Sequence, residues 1–289
     1  MAHDSDQAKW TLEELVPTSE GIPDADVLES MISDLNEQTA RFEAARETLS
    51  PEMASEELVA VIRQSETVYG TLTRLFAFAY MWMSEDTQSQ EALSFMGRIN
   101  QLSSEIRNRM LFFSLWWKGL DDEAAQRLMA DSGEFEYYLE SMRHFKPYTL
   151  SEPEEKIINL KDVNGTDALS NLYEVITNRF AFTLEVEGEV KELTRDELSV
   201  HVRSPEATVR AAAYQELYRV YSDQATVLGQ IYGHLVRDWS SENIDLRGFA
   251  SPIAVRNLGN DIPDGVTDTL LDVCRTSMSV FHRYFAWKA

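Results

Sequence analysis

The feature that most limits what this chain can fold into is a change of hydrophobic period, from helical to alternating and back, between Arg143 and Arg203. Pro147 ends the helix carrying Tyr138, Leu139 and Met142, because proline lacks the amide a helix interior needs and its ring clashes with the preceding turn. Ser151 with Glu154 three residues on is a capping box, hydroxyl and carboxylate satisfying orphan amides of a helix that carries Ile157, Ile158 and Leu160. Asn164-Gly165 closes it, and Leu169, Leu172, Tyr173 and Ile176 recur at helical spacing in the next helix. Phe180, Phe182, Leu184 and Val186 then alternate. Gly188 supplies a turn, and Val190 and Leu193 form the return strand. Thr194 with Glu197 opens a short helix, and Ser204-Pro205 caps and opens a longer one.

Everything on either side reads as helix. Trp10, Leu12 and Leu15 lead into Pro17 and a polar loop, after which Leu28, Ile32, Leu35, Phe42 and Leu49 share a face from about Asp24 to Ser50-Pro51. A second helix starts at Ser55 and carries Leu58, Val61, Leu72, Leu75, Ala79 and Met83. A third starts near Asp86, carries Leu93, Met96, Ile99, Ile106, Met110 and Phe113, and stops at Lys118-Gly119. Short loops between long helices imply antiparallel neighbours in a bundle. Asp121 caps a short helix with Leu128, and Gly133 separates it from the helix of Phe135 and Leu139. After Pro205, Val209, Ala213, Leu217, Val220, Ile231 and Leu235 mark one long helix to about Ser241. A loop from Arg247 to Pro252 then leads, through Ile262-Pro263, to a last helix with Val266, Leu270, Val273, Ser277, Phe281 and Tyr284. The expected fold class is mainly α, a helical bundle with one small β-hairpin. The last helix shows no stop signal before Ala289, so the expectation is a chain cut in mid-element, its partner surface missing.

Charge narrows the possible partners. With 49 acidic against 26 basic residues the net charge is −23, which repels phosphate backbones and anionic lipid surfaces, so neither nucleic acid nor membrane is expected as a partner. The most apolar run, Met110 to Trp117, is far below the ~20 residues that span a bilayer, and the start, Met1 to Asp6, lacks a secretory signal. A single cysteine, Cys274, allows no internal disulfide and suits a reducing compartment, so a cytoplasmic location is expected; Cys274 itself, beside Val273 on a helical stripe, reads as a core residue.

The order of these elements carries a resemblance. Arg143-His144-Phe145-Lys146-Pro147-Tyr148-Thr149-Leu150-Ser151-Glu152-Pro153-Glu154-Glu155 resembles the Arg-x-x-Lys-Pro-x-x-Leu-Ser-x-x-Glu-Glu segment of the oligoendopeptidase F branch of the thimet-type zinc metallopeptidases. The strand from Phe180 to Val186 followed by Leu193-Thr194, Ser204-Pro205 with Arg210 and Ala213, Trp10-x-Leu12-x-x-Leu15, and the closing Tyr284 to Ala289 fit the same family, so the resemblance spans nearly the whole chain. It implies an amino-terminal helical domain over 1–193, with the oligoendopeptidase F segment at 110–193, and the truncated start of a metallopeptidase catalytic domain over 194–289. It also implies short peptide substrates admitted to a deep channel and cleaved by zinc-bound water.

The residues themselves supply no zinc-peptidase motif. A zinc peptidase of this type needs two histidines one helical turn apart with a glutamate between them. None of His3, His144, His201, His234 and His282 is followed by glutamate, and no two lie close in sequence. The resemblance places the His-Glu-x-x-His helix and the third ligand, a glutamate, in a carboxy-terminal half that this chain lacks. No catalytic, substrate-binding or metal residue is therefore assigned, zinc is implied only by family, and the chain alone is expected to be inactive. Other patterns resolve to structure. Asp162 to Tyr173 fails as a calcium loop because Asp167 stands where glycine is required. Arg98, Arg107 and Arg109 read as solvated or ion-paired helix faces, and Tyr80, Trp82, Phe112, Phe113, Trp116 and Trp117 as packing between helices. The alternatives are a non-catalytic helical interaction or scaffold module, and an inactive paralogue that keeps the fold.

Overall fold

The computed structural model describes residues 12–19, 22–186 and 188–289. Trp10 and His3 lie outside the described residues. In chain order the elements are a two-residue hairpin of β1 (Thr18–Ser19) and β2 (Ile22–Pro23), then α1 (Ala25–Ala44), α2 (Ser55–Glu85), α3 (Gln90–Gly119), α4 (Asp122–Ala130) and α5 (Glu136–His144). They continue as α6 (Glu152–Asn164), α7 (Thr166–Thr177), β3 (Phe182–Val186), β4 (Glu189–Leu193) and α8 (Arg195–His201). The last are α9 (Ala207–Asp223), α10 (Ala225–Ser240), α11 (Pro252–Gly259) and α12 (Asp264–Lys288).

The first five helices enclose one core. Asp24 caps α1 by accepting from the amides of Asp26 and Val27, and Leu28, Leu35 and Phe42 then fall one heptad apart on its buried face. Phe42 meets Phe112 of α3 at 5.1 Å between ring centroids, and Phe78 of α2 meets Phe95 edge to face at 6.0 Å. Pairing of Arg98 with Glu29, and of Arg109 with Glu43, runs in the same direction along both chains, so α1 and α3 are parallel and α2 runs back between them. This up-down-up order is what short loops between long amphipathic helices produce.

A second, smaller core lies under the β3–β4 hairpin. Phe182 pairs with Leu193 and Val186 with Glu189 across the antiparallel ladder, and Gly188 turns the chain at φ 83°, where a side chain would strain. Phe182 and Leu184 point inward at period two and pack on Leu198 of α8 and Ala213 of α9, which lie beyond residue 193. Thr194 and Glu197 form the expected capping box, each side chain reaching the other's amide.

Several expectations are corrected. The long helix after Pro205 starts at Ala207 and breaks at Gln224 into α9 and α10; Ser204 instead accepts from the amide of Glu206 in the turn ahead of it. α10 runs on into a π-helical turn, Ser241–Leu246, and α11 occupies the stretch between the expected loop, Arg247 to Pro252, and Ile262-Pro263, where no helix was expected. The Ser151 hydroxyl donates to the Glu154 carboxylate, so only the carboxylate half of that box reaches an amide. Cys274 is exposed, not core, because α12 packs only at its start, against α11, and leaves Leu270, Val273, Phe281 and Tyr284 in solvent. Tyr80 is likewise exposed, whereas Phe112, Phe113 and Trp117 are buried as expected. No helix among the described residues is long and apolar enough to cross a membrane.

Leu75 is fully buried between the long helices. Leu75→Ala is expected to cost about 2–5 kcal/mol of unfolding free energy, read from the urea midpoint. Leu270→Ala, on the open face of α12, is expected to stay within about 0.5 kcal/mol of the parent.

Candidate functional site

Among the described residues, polar side chains come together at a joint between the chain's halves and in a groove beside it. The joint is built from the Arg143–Glu155 segment. Arg143 donates to the carbonyls of Trp117 at 2.8 Å and Leu120 at 3.0 Å, and Lys146 to that of Leu120 at 2.9 Å. These carbonyls lie in the last turn of α3 and at its cap residue, where the negative end of the helix dipole favours a cation; the Trp117 carbonyl also accepts from the Leu120 amide. Glu155 accepts from the Leu150 amide at 3.0 Å and takes both arms of Arg247, at 2.8 and 2.9 Å. Arg247 also donates to the Tyr148 carbonyl and to Glu242, and Phe249 stacks on the Tyr148 ring at 3.6 Å. One arginine past α10 thus locks the far half of the chain to the start of α6 by a bidentate, largely buried pair.

This geometry sets the charge states. Burial pushes the Glu155 carboxyl up, but the hydrogen bonds from Arg247 and the Leu150 amide, with the nearby positive charge, outweigh it and hold it below the ordinary carboxylate range. Burial lowers the Lys118 ammonium in the same neighbourhood. Asp162, further along α6, is pushed up to about 6 by burial and by the charges of Glu242, Asp238 and Asp167.

The groove runs along one face of α3. Met96, Asn100, Ser103 and Arg107 line a cavity of about 460 Å³, closed on one side by Tyr69, Phe76 and Tyr80 of α2 and on the other by Asp167, Asn171 and Glu174 of α7. Past Arg107 it continues into a smaller space of about 190 Å³ bounded by Tyr138 and Asn159. Arg98 and Arg109 are ion-paired as expected, whereas Arg107 is exposed and has no ion pair among the described residues. The histidines do not converge. His144, at the end of α5, His234 on α10 and His282 on α12 are exposed, and His201 ends α8 half-buried. Among the described residues no group of histidine, cysteine and carboxylate side chains could hold a metal ion, so these residues offer no donor set for the zinc that the family resemblance implies.

Residues 116–182 match the family model described as Oligopeptidase F. The chain is 21% identical over 286 residues to Oligopeptidase PepF of Bacillus subtilis (strain 168), a match covering 96% of this chain and 41% of that protein. It is 22% identical over 240 residues to Group B oligopeptidase PepB of Streptococcus agalactiae, covering 80% of this chain and 39% of that one. The crystal structure of oligoendopeptidase-F from Enterococcus faecium shares the fold with a TM-score of 0.75 at 21% identity, over 91% of this chain and 53% of that chain. The chain resembles oligoendopeptidases F in sequence and in fold. It spans about two fifths of the length of the curated relatives it matches.

The segment matched to Oligopeptidase F contains the joint's motif: Arg143, Lys146, Ser151, Glu154 and Glu155 all lie within it. Sequence reasoning found that motif but missed its partners Arg247 and Phe249, and, in the groove, Asn100, Ser103 and Glu174. Gly248, at φ 78° between the two partners, was the available sign that Arg247 to Phe249 is a built turn.

Arg247→Met is expected to cost about 3–5 kcal/mol, since it leaves the Glu155 carboxylate buried and unpaired, and Arg247→Met with Glu155→Leu to recover most of that loss in urea unfolding. The two shifted acids oppose each other with pH. Glu155, lowered in the folded chain, contributes stability that is present above the ordinary carboxyl pKa of about 4.3 and lost as pH falls below it. Asp162, raised to about 6, makes the chain lose stability as pH climbs from about 4 to that value, because the unfolded chain releases the proton first. Asp162→Asn is therefore expected to raise the melting temperature at pH 7 and to flatten its dependence between pH 4 and 6.

Proposed function

We propose that this chain is the front portion of a cytoplasmic zinc metalloendopeptidase that hydrolyses short oligopeptides. On this reading residues 1–193 form the amino-terminal helical domain and 194–289 the opening helices of the catalytic domain, joined through the core they share under the hairpin. The observation that carries the reading is the match to oligopeptidases along 96% of the chain, in one continuous order, against only 41% of the relative's length. The metal ligands belong to the remaining length of the longer protein, so the 289-residue chain by itself is inactive.

The surface supports this arrangement. α12 leaves Leu270, Val273, Phe281 and Phe285 in solvent, and Trp287 is 81% exposed. A contiguous apolar face of that kind marks a surface that another part of a fold, or a partner, covers. The remainder of the peptidase is the occupant this reading assigns to it. The lone exposed cysteine and the net charge of −23 fit a reducing interior with neither nucleic acid nor membrane as partner. The same apolar face would also suit a non-catalytic helical module that presents α12 to another protein.

The coding sequence beyond Ala289 is expected to encode His-Glu-x-x-His. The longer product is expected to cleave end-blocked octapeptides in a zinc-dependent, chelator-sensitive way, while the 289-residue chain with added zinc gives no turnover. A stop codon after Ala289, with a natural product that stays compact and monomeric, would favour the interaction module instead.

A further inference from the structure

The α2–α3–α7 groove contains a group that has no use within the chain. Ser103 is 6% exposed, and its hydroxyl has no hydrogen-bond partner among the described residues. Helical serines ordinarily donate to a carbonyl three or four residues back, as Ser65, Ser114 and Ser170 do here at 2.7, 3.2 and 2.9 Å. An unpaired buried hydroxyl costs stability unless a ligand or water completes it. Ser103 faces the cavity between Asn100 and Arg107, one helical turn to either side, so three donors stand in a row along its floor.

The walls have opposite characters. On α2, the Phe76 and Tyr80 rings lie parallel, 8° apart in plane and 6.5 Å between centroids, and both are exposed. Facing them on α7, Asp167 and Glu174 have no ion pair among the described residues. An aromatic face opposed by free carboxylates is a setting that takes a cation carried on an apolar stem. The same carboxylates exclude a phosphate backbone. The floor asks for carbonyl oxygens, and the Asn171 amide can both give and accept as a peptide link does.

We propose that this groove binds an extended peptide segment whose lysine or arginine side chain lies between Phe76–Tyr80 and Asp167–Glu174, with its main-chain carbonyls on Ser103, Asn100 and Arg107. From Met96 to Ser114 the lined face of α3 is roughly 27 Å long at ~1.5 Å per residue, the span of about eight extended residues at ~3.3 Å each. The inference deepens the peptidase reading, whose substrates are short peptides, by giving them a preferred side chain.

The test uses the 289-residue chain without metal. A fluorescein-labelled, end-blocked octapeptide of alanine and serine with one central arginine is titrated by anisotropy at low salt, beside versions with glutamine or glutamate at that position. The arginine peptide is expected to bind at least tenfold more tightly than the glutamine peptide, and the glutamate peptide more weakly still. Phe76→Ala and Glu174→Gln, both surface changes, are each expected to weaken the arginine peptide about three- to tenfold with no change in melting temperature. Ser103→Ala is expected to weaken the arginine and glutamine peptides alike. Equal binding of the three peptides, no binding of the arginine peptide at millimolar concentration, or binding untouched by Phe76→Ala and Glu174→Gln overturns the proposal. Zinc-dependent hydrolysis by the longer protein that ignores both the basic residue and Phe76→Ala would sink the groove and leave the peptidase reading standing. Selective binding here with no hydrolysis by the longer protein would do the reverse.

Discussion

The ion pair of Arg247 with Glu155 is the constraint on which the arrangement of the second half depends. It spans 92 residues of sequence, and both side chains are mostly shielded from water. A pair of that kind gains little over apolar packing, because two desolvated charges must offset their own loss of hydration. What it does supply is a single geometry. Two parallel N–H···O bonds, a carbonyl contact to Tyr148 and the ring of Phe249 on Tyr148 together fix both the position and the rotation of the turn after α10. Without that fixture α10 is held to the front half chiefly by its contacts with α7, including the bond from Thr166 to Asp238.

The front half needs no such fixture, since Leu35, Leu58, Leu75, Ile99 and Ile106 interlock from three directions. Its helices were legible in the sequence for that reason: the apolar residues of α1 to α3 recur at three and four spacings, and Asp24 caps the first, although α3 starts after Ser89 and not near Asp86. The turn from helix to hairpin was legible too, because period two over Phe182 and Leu184 reflects one buried face. Where the local pattern carried no information, the reading failed. No proline or glycine in Tyr221 to Ala225 interrupts the helical stripe, so the local pattern carried no sign of the break at Gln224. The fate of Cys274 was hidden for a different cause: an apolar stripe says that a face can be buried, not that its partner lies in the same stretch of chain. α11 could have been found, since Ser251 caps it and Pro252 occupies its first position.

The groove was the least legible part. Its aromatic side comes from α2, its floor from α3 and its acidic side from α7, about 70 residues beyond Met96 at the groove's start. Each residue has an ordinary local explanation. Tyr80 fits a packing stripe, Ser103 a helix interior, Glu174 a solvated surface. Only their convergence makes a cavity, and convergence follows from the up-down-up order of α1 to α3 and from α6, which Asn159 ties to Ser104 and Asn108 of α3 and which packs against α7.

The same constraint bears on the residues that the Oligopeptidase F model matches. The matched residues, 116–182, run from the end of α3 to the first residue of β3, and they include little of the large core. In a packed interior, volume can be redistributed among apolar residues with modest loss, so a core of this kind can diverge freely while the fold persists. A cation set over the end of a helix, or a carboxylate held by one amide and two guanidinium arms, has no comparable substitute, because the geometry and the charge must both be reproduced. Arg143 on the carbonyls of Trp117 and Leu120, and Glu155 between Leu150 and Arg247, are positions of that kind. The recognisable motif is thus the joint of the molecule, and a family trace at about 20% identity can remain sharp where geometry and charge must be kept together.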